Sequence, residues 1–283
     1  MFIKITPTQE SILLHLSKYK FLTTKQMLRL GVASHQPGIS KNLGKLRRLK
    51  WVDGADFTVT QRDKGKVRNR KAESFYFLTK KGASEIIERR ELAEHQVKFP
   101  KGTSTLFSDK YFHRKYAIDC EVEANLCALE KGYKVVLFDR DFDRTGSNRT
   151  SKGVSAKTKI ESKDRHIVPD GNFILSNGQD YKLFTFELHN ERNPKEIVKQ
   201  LVWHTYAVEN GSLGVKYKVQ KLHRVLNVFV NEGKMKAMLT RLQGMKEFDE
   251  MENFFFFKSL DQVKNGLFYD EWLNLSGQVK NLL

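Results

Sequence analysis

The side chains whose types and spacing could do chemistry lie well beyond the first third of this 283-residue chain. Glu187 and His189 alternate by two and so share one face of a strand, as do His166, Val168 and Asp170. Both faces could line one site. Two carboxylates brought together there would make the negative pocket that a hard, oxygen-seeking ion needs. Asp139, Asp141 and Asp143 alternate like the opening of a calcium loop. Position six of that loop is Arg144 rather than Gly and position twelve is Thr150, so the EF-hand reading fails and exposed charge is the better account. Trp203 and His204 fall inside an amphipathic helix, where core packing or surface placement outweighs chemistry. No Gly-rich phosphate loop of the Walker type is present, which argues against an ATPase.

The elements that must position these residues read as a mixed α/β (α+β) domain over 108–283. A helical pattern from Lys110 to Lys131 carries Ile118, Val122 and Leu126 on one face and stops at Gly132. Val135 to Phe138 reads as a strand, and residues 144–164 as a long loop rich in Ser, Thr, Gly and Lys whose cations suit a DNA backbone. Two apolar strands follow, one from Ile167 to Leu175 with Pro169-Asp170 inside it and one from Lys182 to His189, separated by the turn Asn177-Gly178. A helix from Pro194 to Val208 and a strand from Val225 to Val230 come next, with further patterns at Lys234–Leu242, Asn253–Phe257 and Leu260–Leu267.

The first 92 residues read differently. Thr6 with Gln9, and Thr23 with Gln26, have the spacing of capping boxes, so a helix is expected from about Pro7 to Tyr19 and a short one opened by the second box, containing Met27, Leu28 and Leu30 and stopping near Gly31. A third helix is expected from about Pro37, with Ile39, Leu43 and Leu46 facing the core and Lys41, Asn42, Lys45 and Arg48 on the other face. Phe57, Val59 and Phe75 to Leu78 read as two strands joined by a basic loop containing Arg62, Lys64, Lys66, Arg68, Arg70 and Lys71, before a helix through Ile86 and Ile87. This order matches a winged helix-turn-helix, with the third helix in the major groove and the basic loop as its wing. Asn42 could then reach an adenine and Arg48 a guanine.

Charge supports a polyanionic partner. Lys and Arg number 50 against 33 Asp and Glu, a net charge of +17, and the first 100 residues hold 21 basic and 9 acidic side chains. Double-stranded DNA is the expected partner. Residues 91–109, with Pro100, Gly102 and Ser104, read as a polar linker. Cys120 and Cys127 lie too far apart along one helix for a disulfide and read as reduced thiols, which with the lack of a signal peptide or apolar span gives a cytoplasmic expectation.

The order of elements in the second domain, with Pro169-Asp170 and Glu187-x-His189, resembles the PD-(D/E)xK nuclease fold. That resemblance implies Asp170 and Glu187 as ligands of a divalent cation, Mg2+ or Mn2+. His189 stands where the fold commonly has a lysine, whose role is either absent, taken by His189 or moved to Lys199. Over nearly the whole chain the sequence also resembles the replication-relaxation family, which includes MobC-type relaxases of mobilisable plasmids. The likeness is carried by FLTTKQMLRL, FYFLTKKGA, His113-x5-Asp119, Pro169-Asp170, Phe186-Glu187-Leu188-His189 and the tail FFFFKSLDQV through Trp272. It implies a metal-dependent nickase acting at a transfer or replication origin, with His113 and Asp119 near the site and accessory mobilisation or replication proteins or a second copy as partners. No tyrosine is assigned as nucleophile; Tyr111, Tyr116 and Tyr206 are candidates, and a buried structural place is the weightier reading for each. The alternative is a non-enzymatic replication initiator or transcriptional regulator, and a restriction or repair endonuclease is a third.

Overall fold

The computed structural model describes residues 3–63, 66–100, 110–146, 153–162, 165–190 and 193–283, with side chains at 60–69 left out. It divides into two compact units, Met1–Tyr111 and Phe112–Leu283.

In the first unit, local capping sets where helices begin. Thr6 Oγ1 accepts from the Gln9 N–H while Gln9 Oε1 accepts from the Thr6 N–H, and Pro7 opens helix α1 (Pro7–Tyr19). The same reciprocal pair, Thr23 and Gln26, follows the short strand β1 (Leu22–Thr23) and opens α2 (Thr24–Arg29). Helix α3 (Gln36–Arg48) begins one residue before the expected Pro37. Its Ile39, Leu43 and Leu46 are buried, as are Ile12, Leu13, Leu16 and Met27.

Strands β2 (Val52–Asp63) and β3 (Lys66–Leu78) pair antiparallel, and β1 adds to the far side of β3. The expected basic loop is thereby corrected. The ladder continues from Thr58 opposite Lys71 to Asp63 opposite Lys66, past a register shift at Phe57 and Thr58, so most of that stretch is strand. Helix α4 (Lys80–Arg90) starts at Thr79, whose hydroxyl accepts from the Gly82 N–H. Gly82 is required there, because a Cβ would stand 1.9 Å from the Trp51 carbonyl oxygen. Part of the expected linker is tied down: Val97 is buried and the Lys98 N–H donates to the Ser17 carbonyl at 2.7 Å. Residues 101–109 lie outside the described residues.

The second unit opens with α5 (Tyr111–Glu130) and β4 (Lys134–Arg140). Two small hairpins follow, β5 (Arg144–Gly146) with β6 (Val154–Ala156), and β7 (Ile160–Ser162) with β8 (Arg165–Ile167). The described part of the expected 144–164 loop is therefore partly strand. Then come β9 (Gly171–Ser176), β10 (Tyr181–His189), α6 (Pro194–Glu209), α7 (Ser212–Tyr217), β11 (His223–Phe229), α8 (Glu232–Leu242), β12 (Phe255–Ser259), α9 (Leu260–Lys264), β13 (Trp272–Asn274) and β14 (Val279–Lys280).

Seven of these strands form one mixed sheet in the order β14-β13-β12-β11-β10-β9-β4. The β10–β11 and β11–β12 pairs are parallel and the other pairs antiparallel. Parallel neighbours need crossovers, which the helices between them supply. Phe184, Phe186 and Leu188 pack on one side of the sheet with Ala117, Cys120, Ala124, Cys127 and Ala128 of α5, a small-residue face. On the other side Val225 and Phe229 pack with Ile197, Leu201 and Val208 of α6 and Met235 and Met238 of α8. Burial on both faces explains why these strands read as continuous apolar runs. Among the described residues no helix is long and apolar enough to cross a membrane.

Candidate functional site

The chain breaks between β8 and β9, so the expected strand from Ile167 to Leu175 is corrected to two short strands separated by Val168-Pro169-Asp170. Pro169 has no N–H to give to a ladder, which accounts for the break. His166, Val168 and Asp170 consequently do not share a strand face. Asp170 sits just ahead of β9, where Gly171 faces Phe186 and lies so close that a Cβ would stand 2.0 Å from its ring.

This approach lets the carboxylate of Asp170 reach across to β10 and α5. Its Oδ2 accepts from the Leu188 N–H at 2.7 Å, and its Oδ1 lies 2.8 Å from His113 Nε2. His113 and Asp170 are thus brought together. Asp119, named with them, is instead held between Lys115 at 3.6 Å and Lys264 at 3.3 Å.

Asp141 joins this cluster. Its N–H donates to the Asp170 carbonyl at 3.2 Å, an extension of the β4–β9 ladder in which Arg140 faces Gly171. Burial pushes the Asp141 carboxyl above its usual range, and the neighbouring Asp170 charge pushes it further. Its Oδ1 has no hydrogen-bond partner among the described residues. The exposed-charge account of Asp139, Asp141 and Asp143 is therefore overturned. Asp139 Oδ2 accepts from the Tyr217 hydroxyl at 2.9 Å, and buried Asp143 pairs with Arg140 at 3.1 Å. Arg140 also meets Glu121 at 3.0 Å, and all three side chains are buried. Burial alone would lower the Arg140 pKa, but the charges of Asp143 and Glu121 outweigh it and raise it.

Glu187 is held differently. His204 Nε2–H donates to Glu187 Oε1 at 2.7 Å, and neither side chain is exposed. Burial, with His223 and His189 nearby, lowers the His204 pKa to about 3, so the imidazole is neutral and the contact is a hydrogen bond rather than an ion pair. Two residues on, His189 Nε2–H donates to Asn227 Oδ1 at 3.2 Å, and His189 lines a cavity of about 210 Å³ with Phe229, Lys234 and Arg241.

Asp170 and Glu187 are each engaged by protein donors, and among the described residues no three His, Cys, Asp or Glu side chains are arranged to hold a metal ion. Lys199, the other candidate for the lysine role, is exposed with Nζ 5.2 Å from the centre of the Trp203 ring. Of the candidate tyrosines, Tyr111 is buried and Tyr116 half-buried, whereas Tyr206 is 44% exposed and so is not a core residue.

In the first unit, Lys41, Lys45 and Arg48 are exposed at i, i+4 and i+7 of α3 and form one stripe opposite the buried Ile39, Leu43 and Leu46. Asn42 Nδ2 donates to the Gly38 carbonyl at 2.9 Å, which uses one of its two N–H donors. Arg70 and Lys71 are exposed, with Lys71 2.8 Å from Asp56. Lys64 and the side chains of Arg62, Lys66 and Arg68 lie outside the described residues.

No family model and no curated protein matches the chain, so the replication-relaxation resemblance rests on the quoted motifs alone. Among solved structures, the restriction endonuclease FokI bound to DNA aligns over 93% of this chain and 69% of its own, at 10% identity and a TM-score of 0.28. A second structure of FokI aligns over 94% of this chain and 45% of its own, at 14% identity and a TM-score of 0.30. Values of this size do not establish a shared fold.

Proposed function

We propose that this protein binds double-stranded DNA through its first unit, acting as a winged helix-turn-helix with α3 in the major groove and the β2–β3 hairpin as the wing. The observation that carries this reading is the stripe of Lys41, Lys45 and Arg48, exposed on the one face of α3 that its buried leucines and isoleucine leave outward. The order helix, strand, helix, helix, strand, strand agrees with it. The second unit then serves the DNA-bound protein without chemistry of its own, as in a replication initiator or transcriptional regulator. Gel-shift titration of a duplex library at several salt concentrations tests it; absence of any salt-dependent shift would sink it.

A second reading, nicking of an origin by the second unit, is favoured by the contact between Asp170 and His113. A carboxylate in that position orients the imidazole, leaving the other ring nitrogen to take a proton from an attacking group. Incubating the protein with supercoiled plasmid and Mg2+ or Mn2+ separates the readings. Relaxed circles that vanish with His113→Asn favour nicking, unchanged DNA favours the initiator or regulator, and linear DNA points to an endonuclease.

A further inference from the structure

Helix α6 carries a second, outward stripe. Lys199, half-buried Trp203 and Tyr206 recur at i, i+4 and i+7, with Asn210 at the C-cap, opposite the buried Ile197, Leu201, His204 and Val208. The β7–β8 hairpin faces part of this stripe, and between them lies a pocket of about 410 Å³, lined by Arg165, His166, Ile167, Trp203, Tyr206 and Glu209. That volume falls within the roughly 300–1,000 Å³ of small-molecule sites.

The lining combines three chemistries that occur together in nucleotide sites. Trp203 and Tyr206 offer aromatic faces, and every nucleobase has a π-face to lay on them. Arg165 Cζ lies over the Tyr206 ring, 5.9 Å from its centre, and Lys199 Nζ over that of Trp203 at 5.2 Å, so each ring carries an exposed cation that can swing aside for a base and pair with its phosphate. Glu209 supplies an acceptor for an exocyclic amine, as carboxylates do for cytosine N4. The wall is fixed, since Asn210 Nδ2 donates to the Tyr206 carbonyl at 2.6 Å and to Ser162 Oγ at 3.5 Å.

We propose that this pocket binds an unstacked, amine-bearing nucleobase together with its phosphate, a site separate from the duplex-binding stripe of α3. It does not depend on the duplex reading. Trp203 reports on it directly, because Trp51 and Trp272, the other tryptophans, are fully buried. The test titrates the full chain with an oligodeoxycytidylate and, separately, with cytidine monophosphate, following tryptophan fluorescence. Saturable quenching is expected, lost in Trp203→Phe and shifted about tenfold to higher concentration in Tyr206→Ala and in Arg165→Ala. Quenching by the oligonucleotide alone assigns the site to a single strand, and equal quenching by the mononucleotide assigns it to free nucleotide; both support the pocket. No quenching by either ligand, or an unchanged midpoint in both variants, overturns it. So does loss of quenching in Lys45→Ala with Arg48→Ala, which would place the signal in the first unit.

Discussion

His204 donates a 2.7 Å hydrogen bond to Glu187 from the helix that covers its strand, and both side chains are shut off from solvent. A buried carboxylate so held is part of the packing of α6 on the sheet, whatever else it does. We therefore expect Glu187→Ala to lose folded stability, by about 1.5–3 kcal/mol for a hydrogen bond to a charged group. Urea unfolding should show a lower midpoint in Glu187→Ala than in Glu187→Gln, which keeps an acceptor. A Glu187→Ala variant as stable as the parent would free this carboxylate for a purely chemical role.

On α3, Lys45→Ala combined with Arg48→Ala should weaken duplex binding and lower the slope of log affinity against log salt by about one unit for each phosphate no longer neutralised. Thermal melting should be unchanged, since both side chains are exposed. Unaltered affinity and slope in gel-shift titrations would remove the helix from the interface.

The buried triad of Arg140, Glu121 and Asp143 makes a sharper stability prediction. Glu121→Ala removes one of the two carboxylates held by buried Arg140 while Asp143 still balances its charge, so it should cost about 1.5–3 kcal/mol. The cost arises in the second unit, and a melt followed by buried Trp272 should show it. Equal melting temperatures would mean that water reaches Arg140.

Acid should loosen the fold through His223. Burial lowers its pKa to about 3, and neither ring nitrogen has a hydrogen-bond partner among the described residues. Unfolded, the imidazole takes its proton near pH 6.5. Between those values the unfolded chain binds the extra proton, so the contribution is intact above pH 6.5 and falls by about 1.4 kcal/mol per pH unit on acidification. His223→Leu should lessen the drop in melting temperature between pH 7 and pH 5; an identical pH profile would refute the assignment.

What could be read beforehand follows from the range over which each feature is determined. The capping boxes at Thr6 and Thr23 are fixed by a three-residue spacing, and both are present. The buried faces of α1 and α3 follow from local periodicity in the same way. Lys66 to Lys71 is strand without an apolar alternation in its sequence, and the pairing with β2 that forms it leaves no trace in a hydrophobic pattern. Pro169 signalled the break before β9, but the apolar Ile167 and Val168 on its near side disguised it.

The candidate site was legible by residue type more than by arrangement. His113 and Asp170 meet across 57 positions, and Asp141 joins them through the pairing of β4 with β9. Neither meeting has a local signature. The outward stripe of Lys199, Trp203 and Tyr206 did have one, a helical spacing, but core and surface stripes look alike until the partner layer is known.

Cys120 and Cys127 sit in the small-residue face of α5 against the sheet, both buried, with burial holding the Cys120 thiol well above its usual pKa. Thiolate, the reactive form, is therefore scarce while the helix stays seated. The chain carries its own clock for internal opening: the rate at which an alkylating reagent consumes these thiols measures how often α5 lifts from the strands beneath it.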